Sequence, residues 1–157
     1  MQGGYKPRHS LHFVGYAAEE VGLLGSQDVA QYYLEQGIKV QGVLQLDMTG
    51  YRGKNKMALI TDNVDIGLTE FVASMIDEYV GRHEIHREKC HYSCSDHASW
   101  HKRGFSTVMV SEGGPFGDSS PHIHTQQDVV ANVDFDYMLA FSETALAYAL
   151  ELDALDY

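Results

Sequence analysis

The sequence predicts an α/β sandwich in which helices cover a mostly parallel β-sheet. Short apolar runs of strand length alternate with longer stretches whose apolar residues recur at helical spacing, the pattern of strands and helices taking turns along one sheet. A length of 157 residues fits one domain at ~100–200 residues per domain. A composition 44% hydrophobic and 21% charged belongs to a chain with a core, which excludes a disordered tail or a fibre.

Ser10–Tyr16, with Leu11, Phe13, Val14 and Tyr16, reads as a buried first strand ending in small residues and Glu19-Glu20. A helix is expected over Leu23–Gln36, with apolar Leu24, Val29, Ala30, Tyr33 and Leu34 on one face and Gly37 where a C-cap belongs. Val40–Met48 reads as a second buried strand that ends on Asp47, and Met57–Ile60 as a third. Leu68, Phe71, Val72, Met75, Ile76 and Val80 trace an amphipathic helix over Leu68–Val80. Val108–Val110 is a fourth short strand, and Phe135–Leu152 closes the chain with a long helix carrying Met138, Leu139, Ala145, Leu146, Tyr148, Ala149 and Leu152. No internal repeat or low-complexity segment interrupts this order.

Eleven basic residues against 22 acidic ones leave a formal net charge of −11, which repels nucleic acid and anionic membranes. No apolar run approaches the ~18 residues of a membrane span. Nine His beside those carboxylates suit a protein that collects cations. Met1–Arg8 lacks the apolar core of a secretory signal, so the reading is a cytosolic chain or one whose beginning has been cut away. The two cysteines, Cys90 and Cys94, stand four apart. A small disulfide loop, half a zinc site and two buried thiols all remain open at that spacing.

In sheets of this kind chemistry gathers beyond the carboxyl ends of the strands. Glu19 and Glu20 follow the first predicted strand, and neighbours in an extended segment point to opposite sides, so one can bind a metal while the other acts as a base. Two solvated acids at a helix N-terminus fit the same residues. Gly22 and Gly25 beside them point to close backbone packing. Asp47 ends an apolar strand, where a carboxylate is costly to bury unless paired or metal-bound, though a turn acid would also stand there. His122 and His124 are expected on one side of an extended loop. His97 and His101 share the spacing of a His-Glu-x-x-His zinc helix, but Ala98 occupies the glutamate position. They are therefore read as helix-surface or supporting residues, and His9, His12, His83 and His86 as surface polar residues.

Taken in order, Tyr-Ala-Ala-Glu-Glu-Val-Gly-Leu, Gln-Leu-Asp-Met-Thr, Cys-Ser-Asp-His-Ala-Ser-Trp-His and Ile-His-Thr-x-Gln-Asp resemble the M28 family of zinc aminopeptidases, from about Ser10 to Leu152. The resemblance is greatest to bacterial leucyl aminopeptidases. It implies hydrolysis of the N-terminal peptide bond of a peptide, releasing an apolar amino acid. It implies Glu19 as general base, Glu20 and His124 as ligands of one zinc, and Asp47 as a ligand of the other. It also implies an apolar pocket at Met48, Ile60, Tyr92, Met109 and Ile123, and a Cys90–Cys94 disulfide, which would agree with a secreted or periplasmic protein. The family carries a further His and a bridging Asp upstream of the Glu-Glu pair, and this sequence has no such segment. The expectation is thus a partial catalytic domain over 1–157, a zinc-exopeptidase-like sandwich lacking its N-terminal strands, with two Zn2+ in the intact family and one or none here. An unpaired sheet edge would favour self-association. Two other readings stand beside it: a glutaminyl-cyclase-like single-zinc acyltransferase, and an inactive peptidase-homology module.

Overall fold

The computed structural model describes residues 4–114 and 118–155. One sheet holds β1 (Val43–Leu46), β2 (Lys56–Ile60), β3 (Glu84–Glu88) and β4 (Thr107–Ser111), in the spatial order β1-β4-β2-β3. β1 runs parallel to β4 with Leu46 opposite Val110, and β2 runs parallel to β3. β2 and β4 are antiparallel, so two of the three pairings follow the expected direction and the central one does not.

Alternation along the strands sends side chains to two faces. Met57, Leu59, Val108 and Val110 join Val72, Ile76, Tyr137 and Phe141 in the main core, against α2 (Ile66–Met75) and α4 (Phe135–Ala154). Ile60 and Met109 form a second cluster with Cys90 and Cys94. The two remaining helices are α1 (Leu24–Glu35) and the short α3 (His97–His101). Helix ends follow local chemistry. Asp65 accepts the Leu68 N–H at 2.7 Å and Asp134 that of Tyr137 at 3.0 Å. After α1, Gly37 at φ 62° donates to Leu34 O while Ile38 N–H returns to Tyr33 O, the paired bonds that a left-handed C-terminal residue permits. Beyond α2 the chain continues through one π-helical turn, Ile76–Val80, so the predicted helix of 68–80 is two segments.

The first predicted strand does not form. Residues 10–16 carry no regular structure, and Phe13 is 92% exposed. An apolar run becomes a strand only beside a ladder partner. Here the segment stands off from edge strand β1 across a cavity of about 860 Å³, lined by residues 9–16 and by Val43, Leu44, Leu46, Tyr148 and Leu152. Its two ends are pinned elsewhere: the N–H groups of Arg8 and His9 donate to Asp153 at 2.9 and 2.8 Å, and Trp100 Nε1 donates to the Tyr16 hydroxyl at 2.7 Å. His9 and His12 are exposed as expected, but the ring nitrogens of His83 and His86 are buried, because β3, which the sequence pattern did not reveal, draws this stretch into the sheet.

Candidate active site

Glu19 and Glu20 lie in a turn, not an extended segment, that feeds α1. The Glu19 carbonyl accepts N–H bonds from Gly22 at 3.0 Å and Leu23 at 2.8 Å. Gly25 is required there, since a Cβ would meet Ala17 O at 2.5 Å and Ala17 N at 2.8 Å. The close backbone approach expected from the glycines is therefore made by Gly25. Gly22 serves conformation, at φ 113° with open space around it.

The turn brings Glu20 to His124, 104 residues away in sequence, with Nε2 2.9 Å from the carboxylate. The Glu19 carboxyl is held above the ordinary glutamate value, first by burial, then by the charges of Asp47, Glu20 and Asp96, with His124 opposing. A proton is thus retained more readily on Glu19 than on a solvated glutamate.

Asp47 follows the carboxyl end of β1, as predicted, and accepts a 2.7 Å hydrogen bond from the buried Ser95 hydroxyl. The next residue, Met48, is left-handed at φ 57°, and so is His124 at φ 59°. Non-glycine residues in that region cost of order 1–3 kcal/mol and concentrate where surrounding structure imposes a geometry. Both here belong to loops bearing candidate ligands.

The other predicted pocket residues divide. Ile60 and Met109 are buried against the Cys90–Cys94 disulfide, Met48 is half-buried, and Tyr92 and Ile123 are exposed on loops. His101 lies on the surface of α3, whereas His97 is fully buried, with Nε2 3.3 Å from Asp62 O and its imidazolium disfavoured by burial. Packing of the short α3 beneath α1 and against β4 buries that position. Four groups were given no role in the sequence reading, although Ser95 and Asp96 stand within a quoted motif. Asp96 is buried, and burial raises its carboxyl above the usual aspartate value. Ser95 braces Asp47, and Asp62 accepts the N–H groups of Cys90 and His91 at 3.0 and 2.7 Å. Glu112 follows β4 as Asp47 follows β1, and that shared signal, an acid just past an apolar strand, would have found it.

Glu20 and His124 present the oxygen and imidazole donors that zinc takes, two of about four positions. Among the described residues no three His, Cys, Asp or Glu side chains converge closely enough to hold an ion. The donor set fits zinc in kind but does not close a site among the described residues.

The Peptidase family M28 model matches residues 1–149, and the chain belongs to that family. A leucine aminopeptidase 1 from Trichophyton equinum is 40% identical over 154 residues, covering 94% of this chain and 41% of the relative. Among solved structures, the LapA aminopeptidase of Legionella pneumophila superposes with a TM-score of 0.85 at 40% identity, over 90% of this chain and 38% of that one. LapB from the same organism gives 0.87 at 39% identity, over 91% and 39%. The chain thus spans about two fifths of the length of the relatives it matches.

Proposed function

We propose that this chain is part of the catalytic domain of a zinc aminopeptidase that removes an apolar residue from the N-terminus of a peptide. The observation that carries the reading is the meeting of Glu20 and His124 at 2.9 Å beside a Glu19 whose proton affinity is raised first by burial and then by the charges of Asp47 and Glu20. In this reading Glu20 and His124 hold one zinc and Asp47 contributes to a second, the set being completed by donors from outside this chain. Bound zinc supplies Lewis-acid polarisation of the scissile carbonyl and acidifies water toward pKa ~7. Glu19 takes a proton from the attacking water and returns it to the leaving amine, a role worth ~10²–10⁴ in rate. Ser95 fixes the rotamer of Asp47. Met48, Ile60, Tyr92, Met109 and Ile123 form the pocket for the first side chain. The disulfide supports export to an oxidising compartment, secreted or periplasmic. The cavity beside β1 supports a domain completed by further chain, and the open β1 edge a tendency to self-associate when that chain is absent.

The test is leucyl-amide hydrolysis by the zinc-loaded protein, alone and supplemented with the amino-terminal part of a relative such as LapA. Turnover lost on Glu19→Gln with zinc retained supports the reading. Full activity of the Gln variant refutes the base assignment, and ammonia released from an N-terminal glutamine substrate, with no free amino acid, redirects it to a glutaminyl-cyclase-like acyltransferase.

A further inference from the structure

We infer that Glu112 is a positioning residue that ties the loop after Asp47 to the loop before His124, so that the two halves of the candidate site move as one. Its side chain is buried, 4% exposed, just beyond the end of β4. Oε2 accepts the N–H groups of Gly50 at 2.9 Å and Tyr51 at 2.6 Å, and Oε1 accepts the Ser120 N–H at 3.0 Å. Its own N–H donates to Met48 O at 2.7 Å, carrying the β1–β4 register past the last ladder pair. One residue therefore grips residues 48, 50 and 51 on one side and residue 120 on the other. Neither loop has a helix or strand of its own between these anchors and the candidate ligands. Gly113 completes the joint: a Cβ there would meet Asp118 C at 2.7 Å and Ser119 N at 2.8 Å, so the second loop lies directly on the chain that follows Glu112. Backbone N–H groups converging on a buried carboxylate make charge-assisted bonds, about twice as strong as neutral ones. The left-handed Met48 is bonded by this clamp directly and the left-handed His124 lies four residues past its Ser120 anchor, and a fixed anchor on each loop is what holds such conformations in place.

The carboxylate is needed because its two oxygens both accept. A Gln at this position keeps one accepting oxygen and sets its NH2 against an N–H, so Glu112→Gln can retain the Gly50 and Tyr51 bonds only by abandoning Ser120. The functional part of the inference rests on the aminopeptidase reading, and the mechanical part does not. The test is site-resolved amide exchange with zinc titration by chelator competition, on the parent and on Glu112→Gln, with and without His124→Ala. The expected result is exchange at residues 120–125 faster by tenfold or more while the amides of β2 and β4 are unmoved. Zinc should bind about tenfold more weakly, as when groups that orient ligands are removed, with no further loss in the His124→Ala background. Unchanged exchange at residues 120–125, or faster exchange spread equally through β2 and β4, overturns the inference. A parent protein that takes up no zinc even when supplemented with the amino-terminal part of a relative such as LapA refutes the metal reading of the site, and the exchange data still decide whether Glu112 couples the loops.

Discussion

Gly25→Ala is the perturbation whose effect can be worked most directly from geometry. The added methyl would sit 2.5 Å from Ala17 O and 2.8 Å from Ala17 N. Favourable contacts lie near ~3.5 Å, so the Ala17 backbone must retreat by about 1 Å. That retreat strains two bonds that seat the turn on α1, Gly25 N–H to Ala17 O at 3.0 Å and Leu24 N–H to Ala18 O at 3.1 Å. Overpacking of this kind costs about 1–3 kcal/mol. For a chain of this size the melting temperature moves ~2–4 °C per kcal/mol, so a fall of roughly 2–12 °C is expected. The shift propagates to Glu19 and Glu20 because they are the next residues of the same turn, and a displacement of ~1 Å at a reacting group can cost on the order of 10² in rate. Trp100, the one tryptophan, is 3% exposed and donates to Tyr16, immediately before the turn, so its emission reports the movement. Thermal unfolding and tryptophan emission together form the assay. A variant that melts within 1 °C of the parent with an unchanged emission maximum would show that the turn has slack, and the argument for a close-packed Glu-Glu site would fall.

Glu19 has a folded-state pKa above its unfolded value, so folding favours the protonated form and stability declines as pH rises from the ordinary glutamate range through the folded value. Glu19→Gln should therefore raise the melting temperature at pH 7 more than at pH 4. His97 shifts the other way: the folded state resists protonation, so stability falls as pH drops below 6.5, and His97→Gln should flatten that loss between pH 7.5 and 5.5 in urea titrations. Ser95→Ala removes a buried hydroxyl bonded to a carboxylate, for a loss of about 1.5–3 kcal/mol by urea denaturation. Reduction of the Cys90–Cys94 bridge, which closes a very short loop, should cost about 2 kcal/mol on the chain-entropy account, read as the difference in unfolding midpoint with and without reductant.

How much of this was legible in the sequence follows from how local each determinant is. The cap of α1 at Gly37 and the position of Asp47 just past β1 are set by residues near them in the chain, and pattern reading found both. β3 was missed because Glu84–Glu88 alternates charged and polar residues with one Ile, a polar edge strand defined by its pairing with β2 and not by its own hydrophobicity. The burial of His97 was missed for a related reason: a His four residues from another His on a five-residue helix looks solvated until α1 is laid over it. The Glu20–His124 contact spans 104 residues, and no periodicity encodes such a pairing; only the family resemblance linked the two.

The segment 10–16 is the informative failure. Its composition is that of a buried strand, yet it stays irregular with Phe13 in solvent, and the space between it and β1 is a cavity of about 860 Å³ lined on both sides by apolar residues. A sequence that pays for Phe and Val at such positions is patterned for contacts on both flanks. At about 25 cal/mol per Å² of apolar surface removed from water, covering these side chains would contribute several kcal/mol. The same segment leads into the turn that carries Glu19 and Glu20. Chain that fills the cavity would therefore order Glu19 and Glu20 from one side, while Glu112 holds the loop after Asp47 and the loop before His124 from the other. On this argument an extended apolar peptide that enters the cavity should slow amide exchange at residues 10–20 and leave residues 120–125 unchanged. Protection appearing in both regions at once would mean that the direct Glu20–His124 contact already couples the two sides of the site.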